Sequence, residues 1–208
     1  MKNPSHNWPG GPRVTTGAVA LSVLVALGAA SPAVAEPREY VIDPEHFAIG
    51  FQVRHVGYAD VIGMFLKANG SFVYDEETRT LSSGRVVVDP ASVFSNHEAR
   101  DEHLRKGDFL YVRRHPEVVF EATAYEPGDD GHGKLHGKLS LLGKTLPVTL
   151  DVRLNKAAAY PFGHRKHTLG ISATTMLKRS DWGMTYALDG DLVGDEVRMS
   201  FELEAIRQ

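Results

Sequence analysis

Cysteine is absent from all 208 residues. Disulfide staples, thiol nucleophiles and thiolate metal sites are therefore excluded, and so is a lipoprotein anchor, which needs a cysteine to acylate. Positive charge is not in excess either: 23 Lys and Arg stand against 26 Asp and Glu, with no polybasic run. A nucleic-acid binder shows a basic face, and adhesion to anionic lipid needs a basic cluster, so neither partner is expected. The G-x-S-x-G elbow of serine hydrolases and the H-E-x-x-H pair of zinc proteases do not occur. No apolar run reaches the roughly 20 residues of a secure membrane-spanning helix.

What is present begins with a leader. Lys2 and Arg13 form a sparse basic region, Gly17–Ala30 is apolar and broken by small residues, and Ala33–Ala35 reads A-x-A. This is the pattern of a signal peptide, residues 1–35, cleaved after Ala35. The expected product is one exported domain, 36–208, periplasmic or secreted and not membrane-spanning after cleavage. Removing Lys2 and Arg13 from the 23 bases leaves 21 against 26 acids, so that domain is mildly acidic. About 173 residues suffice for an ordinary core without staples.

Within this domain the hydrophobic period is mostly two. Phe47, Ile49, Phe51 and Val53 share one side of a segment. Met64, Leu66, Ala68, Gly70 and Phe72 share one side of another, and a strand follows at about Leu81–Val88. Val118, Phe120 and Ala122 alternate with Val119, Glu121 and Thr123. Leu135, Leu139 and Leu141 oppose Lys134, His136, Lys138 and Ser140, and after a Leu142–Lys144 turn Val148, Leu150, Val152 and Leu154 return. "AAAYPFGHRKH" reads as a long polar loop before Leu169, Ile171 and Ala173, and Val197, Met199, Phe201, Leu203 and Ala205 close the chain. About eight half-buried strands imply antiparallel pairing. Sequential hairpins favour an up-and-down barrel over a sandwich, and eight strands enclose room for side chains or one small ligand.

One stretch departs from this period. Asn96–Leu110 reads "NHEARDEHLRKGDFL". Ser95 and Glu98 fit a capping box, and Gly107 suits a helix stop, which predicts one short helix at about 96–106 near the barrel rim. Asp101 and Arg105, at i and i+4, are expected as an exposed ion pair. His97 and His103 are six apart and fall on different faces. His46 and His55 are nine apart on a strand and face opposite ways unless a bulge reunites them. A metal-dependent enzyme using His46, His55 and His103 is one alternative reading, and a structural β-protein with a filled core is another. In "KRSDWGM", Arg179 and Asp181 flank Ser180 and could pair, Trp182 and Met184 offer adaptable apolar surface, and Gly183 permits a tight bend.

The segments "YVIDPEHFAIGFQVRHVG", "GMF", "ARDEHLRKGDFL", "HPEVVFEAT", "GKLSLLGKTLPVTLDV" and "KRSDWGM" occur in this order from about Tyr40 to Ile206. As a set they resemble the YceI-like family of exported lipid-binding proteins. That resemblance implies an all-β fold: an extended, antiparallel, eight-stranded lipocalin-like barrel with a helix packed near it. It also implies a long polyisoprenoid in the apolar interior, of quinone or isoprenyl pyrophosphate type, and homodimers occur among such proteins. Two residues depart from the family pattern. Phe47 replaces a small polar residue and could narrow one end of a tunnel, and Trp182 stands where Phe is common.

The chemistry agrees with that implication. Each buried CH₂ contributes about 0.8 kcal/mol, so a few isoprene units overcome ordinary ordering costs, and a soluble carrier needs a long dry sleeve. Phe51, Phe72, Phe120, Leu139, Leu150, Ile171 and Phe201 are the lining candidates, with Trp182, Met184 and Arg179 from the second motif. Arg100 and His103 are candidates for contact with a polar head. No catalytic residue, metal ligand or cofactor is assigned, and the expected partner is a polyisoprenoid or other long-chain lipid.

Overall fold

The structure is a computed structural model that describes residues 1, 10 and 36–208. The leader expected over residues 1–35, apart from Met1 and Gly10, lies outside the described residues. Ten strands and one α-helix follow: β1 (Arg38–His55), β2 (Ala59–Phe65), β3 (Ala68–Asp75), β4 (Thr80–Val88), β5 (Val93–Phe94), α1 (Glu98–Leu104), β6 (Val118–Pro127), β7 (His132–Leu141), β8 (Lys144–Ala159), β9 (His167–Lys178) and β10 (Val193–Arg207). Among the described residues no helix is long and apolar enough to cross a membrane.

β1 organises the sheet. On one side it pairs with β10, from Tyr40 opposite Arg207 to His55 opposite Val193. On the other side its first residues pair with β3, Tyr40 facing Phe72, and its later ones with β2, Ile49 facing Phe65. Around the ring the order is β1, β3, β4, β6, β7, β8, β9, β10 and back to β1. This is a closed antiparallel barrel of eight strands, so the sandwich alternative does not hold. Closure removes the exposed edges an open sheet would present. β2 and the two-residue β5 extend the wall in line with β3 and β4. Beyond them α1 and the coil to Pro116 complete it, packing Leu104, Leu110 and Val112 against Phe51, Val93 and Leu141.

Three irregularities redirect side chains. β1 carries an insertion against β10 between Ile42 and Phe47, while β10 advances only from Ala205 to Leu203. Asp43 closes that bulge by accepting from the backbone N–H of Glu45 at 2.9 Å and bonding His46 Nδ1 at 2.9 Å. β6 shifts register against β7 between Ala122 and Ala124. The third is a break rather than a bulge. Met64 to Phe72 is not one strand, because the chain leaves the sheet at Leu66 and Lys67, between β2 and β3. Phe65 faces the interior before the break and Phe72 after it, so the expected grouping of Met64 and Leu66 with Phe72 is corrected.

The helix is shorter than expected and differently held. It spans Glu98–Leu104, and its N-cap is His97, whose side chain accepts from the Arg100 N–H. Ser95 does not cap it. The Ser95 backbone N–H donates to Asp101 Oδ1 at 2.8 Å, and its hydroxyl donates to the same oxygen. Asp101 is therefore buried and forms no pair with Arg105, which turns instead to the carbonyls of Ala91 and Val93. The polar loop is also shorter: Ala157, Ala158 and Ala159 stay in β8 opposite Leu169, Thr168 and His167. Three identical small residues hide the period of two there.

Candidate functional site

The inward face of the barrel does not meet in the middle. A cavity of about 300 Å³ lies inside it, lined almost wholly by apolar side chains. On β10 the lining runs from Val193 to Leu203. Ten steps of about 3.4 Å, reduced by a strand tilt near 40°, make it about 25 Å long. That volume over that length leaves room for one hydrocarbon chain abreast.

Period-two strands place the lining. Phe51 from β1, Phe72 from β3, Phe120 from β6, Leu139 from β7, Leu150 from β8, Ile171 from β9 and Phe201 from β10 all face the cavity. Glycines on neighbouring strands let the largest of these lie flat against the wall. A Cβ on Gly63 would stand 2.2 Å from the Phe51 ring, and one on Gly137 would stand 2.2 Å from the Phe120 ring. With side chains there, both rings would be pushed toward the axis. Phe47, at the end of the β1 bulge, is not part of the lining, so it does not narrow the space as its bulk suggested.

The "KRSDWGM" segment closes one end. Arg179–Trp182 forms a turn of 3-10 helix that ends at Gly183, whose φ of 86° is readily adopted without a Cβ. Trp182 and Met184 face the cavity, and Trp182 Nε1 donates to the Leu139 carbonyl at 3.3 Å. Arg179 also borders the cavity and is 4% exposed. It does not pair with Asp181. Its Nε, Nη1 and Nη2 donate to the carbonyls of Gly194, Met184 and Val193 at 2.8, 2.8 and 2.7 Å. Burial pulls its pKa below the usual guanidinium value, while nearby Asp195 opposes that shift. Burial pushes the Asp195 carboxyl up, but bonds from Ser180 and the charge of Arg179 outweigh it and hold that carboxyl below its ordinary value.

The two candidates on α1 lie outside the lining. The Arg100 guanidinium donates to the Ser95 hydroxyl and carbonyl. His103 bonds Asp108 at 2.9 Å and packs edge-on against Phe109 and Tyr186. Sequence reasoning missed Phe65, Leu104, Phe109, Leu110 and Tyr125, which do face the cavity. Phe65 and Tyr125 follow from the β2–β3 break and the β6 register shift. The other three, Leu104, Phe109 and Leu110, come from the charged insert, where no period of two marks an inward face.

The histidines of the metal alternative are not gathered. His46 sits at the β1 bulge, His55 at the far end of the same strand, about 30 Å along it, and His103 on α1. Among the described residues one group has metal-ligand spacing: Asp43, His46 and Glu204. In it the His46 Nδ1 already faces Asp43 Oδ2 at 2.9 Å.

Comparison with known proteins locates this architecture. A model of the YceI-like domain matches residues 40–205. The chain is 35% identical over 191 residues to a UPF0312 protein of Pseudomonas aeruginosa (strain LESB58), covering 91% of this chain and 96% of that one. Its fold is similar to that of BcnA from Burkholderia cenocepacia, with TM-score 0.70 and 20% identity over 78% of this chain and 98% of that one. It is also similar in fold to a polyisoprenoid binding domain from Saccharophagus degradans, with TM-score 0.59 and 12% identity over 83% of this chain and all of that one.

Proposed function

The chain belongs to the YceI-like family, and from that premise we propose that it is an exported, non-enzymatic carrier holding one polyisoprenoid or similar long-chain lipid inside its barrel. The observation that carries this reading is the continuous apolar cavity of about 300 Å³ along the barrel interior. Such a space is unfavourable for water, because its walls offer almost no hydrogen-bond partners. A branched hydrocarbon suits it, gaining about 0.8 kcal/mol for each CH₂ removed from water. The polyisoprenoid-binding domain of similar fold supports the same reading. The leader pattern of residues 1–35 supports delivery to the periplasm or cell exterior, and a homodimer is compatible with this role.

Native mass spectrometry with organic extraction tests the proposal. Protein purified from cells that export it should carry one long-chain lipid per barrel. Phe120→Asp, which places a carboxylate on the cavity wall, should lower the recovered lipid by about tenfold or more. Protein that carries no lipid, and takes none up when offered polyprenols or isoprenoid quinones, would overturn the proposal. A stoichiometric metal with no lipid would favour the histidine alternative instead.

A further inference from the structure

The β8–β9 ladder does not run the full height of the wall. It holds from Asp151 opposite Thr174 to Ala159 opposite His167. Before Asp151, β8 pairs with β7 alone, from Leu150 opposite Leu135 to Lys144 opposite Leu141. After Thr174, β9 pairs with β10 alone, from Thr175 opposite Met199 to Lys178 opposite Glu196. One side-chain bond still ties the two strands there, Thr175 Oγ1 donating to the Thr149 carbonyl at 2.9 Å. An outer recess lies between Pro147–Thr149 and Thr175–Lys178, with Asp181 and Trp182 at its border. It shares Val148, Thr175, Leu177 and Trp182 with the interior cavity. The indole of Trp182 thus stands between the hydrocarbon space and the outside. β4 and β6 also pair over five residues only, from Gly84 opposite Ala122 to Val88 opposite Val118. Past that ladder the space is packed by Leu81 and Tyr125 against Tyr40 and Tyr74, and Arg79 donates across to the Gly128 carbonyl at 2.6 Å.

The turn that carries Trp182 is anchored at its start, not at the indole. Arg179 donates to three carbonyls, and Ser180 donates from its backbone N–H and hydroxyl to Asp195 at 2.9 and 2.8 Å. Trp182 has one polar tie, Nε1 to the Leu139 carbonyl at 3.3 Å, longer than an ordinary N–H···O bond. Gly183 follows at a φ of 86° and adds no side chain to hold the ring in place. Rotation of the Trp182 side chain carries the indole toward the recess while Arg179 and Ser180 stay fixed. The ends of the barrel are covered by buried side chains. Tyr40, Tyr74, Leu169 and Ala205, each 5% exposed or less, pack one end, and the insert lays Phe109 and Leu110 across the other.

We propose that the lipid enters and leaves the barrel sideways, through the gap between β8 and β9, and that Trp182 is its gate. The proposal rests on the lipid-carrier reading above and adds the route. Opening breaks one long hydrogen bond and turns one apolar ring, and the ladder from Asp151 to Ala159 stays whole. Met176, 46% exposed, extends apolar surface outside the gate. Lys178 and Asp181 stand exposed beside it, so the polar end of the lipid stays wet while the tail goes in. A gate acts on uptake and release alike and leaves the dissociation constant unchanged.

The chain has no cysteine, so an introduced pair can be bridged without side reactions. Continuing the β8–β9 register places Pro147 opposite Lys178. Pro147→Cys with Lys178→Cys, joined by a short bis-maleimide after delipidation, ties the two strands across the recess. Native mass spectrometry follows uptake of a polyprenol from phosphatidylcholine vesicles and its return to empty ones. The bridge should slow both by about tenfold or more and keep the dissociation constant within about twofold. The same bridge between Glu121→Cys and Lys138→Cys, register partners on β6 and β7, should change neither rate. Trp182→Phe, with a smaller ring and no N–H, should speed both. Equal rates with and without the β8–β9 bridge would overturn the proposal, as would equal slowing by the β6–β7 bridge. A Trp182→Phe variant that alters release alone would make the residue a wall contact and not a gate. Each of these results leaves the lipid-carrier reading standing. Wild type that takes up neither polyprenol nor an isoprenoid quinone would sink that reading and the route with it.

Discussion

The Asp43–His46 contact ties the β1 bulge to pH. The bond from Asp43 raises the His46 pKa above its ordinary 6.5, against a smaller desolvation effect, and Glu204 at 3.7 Å adds to the rise. Burial pushes Asp43 up, but His46 and the Glu45 N–H outweigh it and hold the carboxyl below 3.8. The His46 contribution is therefore complete below pH 6.5 and is lost as pH rises through its raised value. The Asp43 contribution is complete above 3.8 and is lost as pH falls through its lowered value. Stability from this pair should peak between about pH 4 and 6.5. His46→Gln should flatten the decline in melting temperature between about pH 6.5 and 8. Thermal scans across that range check it, and an unchanged slope would assign the decline to other groups.

At the scale of an element, α1 holds itself together. The Asp101 carboxylate is 5% exposed and takes both the backbone N–H and the hydroxyl of Ser95. Arg100 and Arg105 tie the helix back to Ser95, Ala91 and Val93. The apolar residues of the insert, Leu104, Phe109 and Leu110, face the cavity. Asp101→Ala should leave the Ser95 groups without an acceptor and cost about 2–3 kcal/mol. The loss should be concentrated in this segment, so hydrogen exchange should speed up over residues 95–112 before it does in β7–β9. Uniform acceleration across the barrel would show that the insert unfolds only with the whole.

For the whole molecule, closure of β10 on β1 makes the barrel one cooperative unit, and its hollow makes that unit respond to what it holds. A ligand that binds only the folded state at a hundred times its dissociation constant adds about 2.7 kcal/mol. For a domain of this size that corresponds to roughly 5–10 °C in melting temperature. Lipid-loaded protein should therefore melt higher than the extracted form by about that amount, and reloading should restore it. Calorimetry of both forms checks this, and identical transitions would mean that the interior gains nothing from a guest.

The linear chain determined the strands and their greasy faces, because a strict period of two admits one pleated solution at positions such as Phe120, Leu139, Leu150 and Phe201. Absent cysteine also ruled out disulfides and thiol chemistry. Three-dimensional pairing decided the rest. The break at Leu66–Lys67 and the shift near Thr123 exchange faces, so Phe65 and Tyr125 turn inward against the surrounding pattern. Asp101 reads in sequence as half of an exposed ion pair and Arg179 as a partner for Asp181, yet folding buries both among donors and carbonyls from Ser95, Val193 and Gly194. Whether the interior is filled or hollow depends on how rings rest on glycines of adjacent strands, as Phe51 does on Gly63. That contact joins residues far apart in order, and no local period records it.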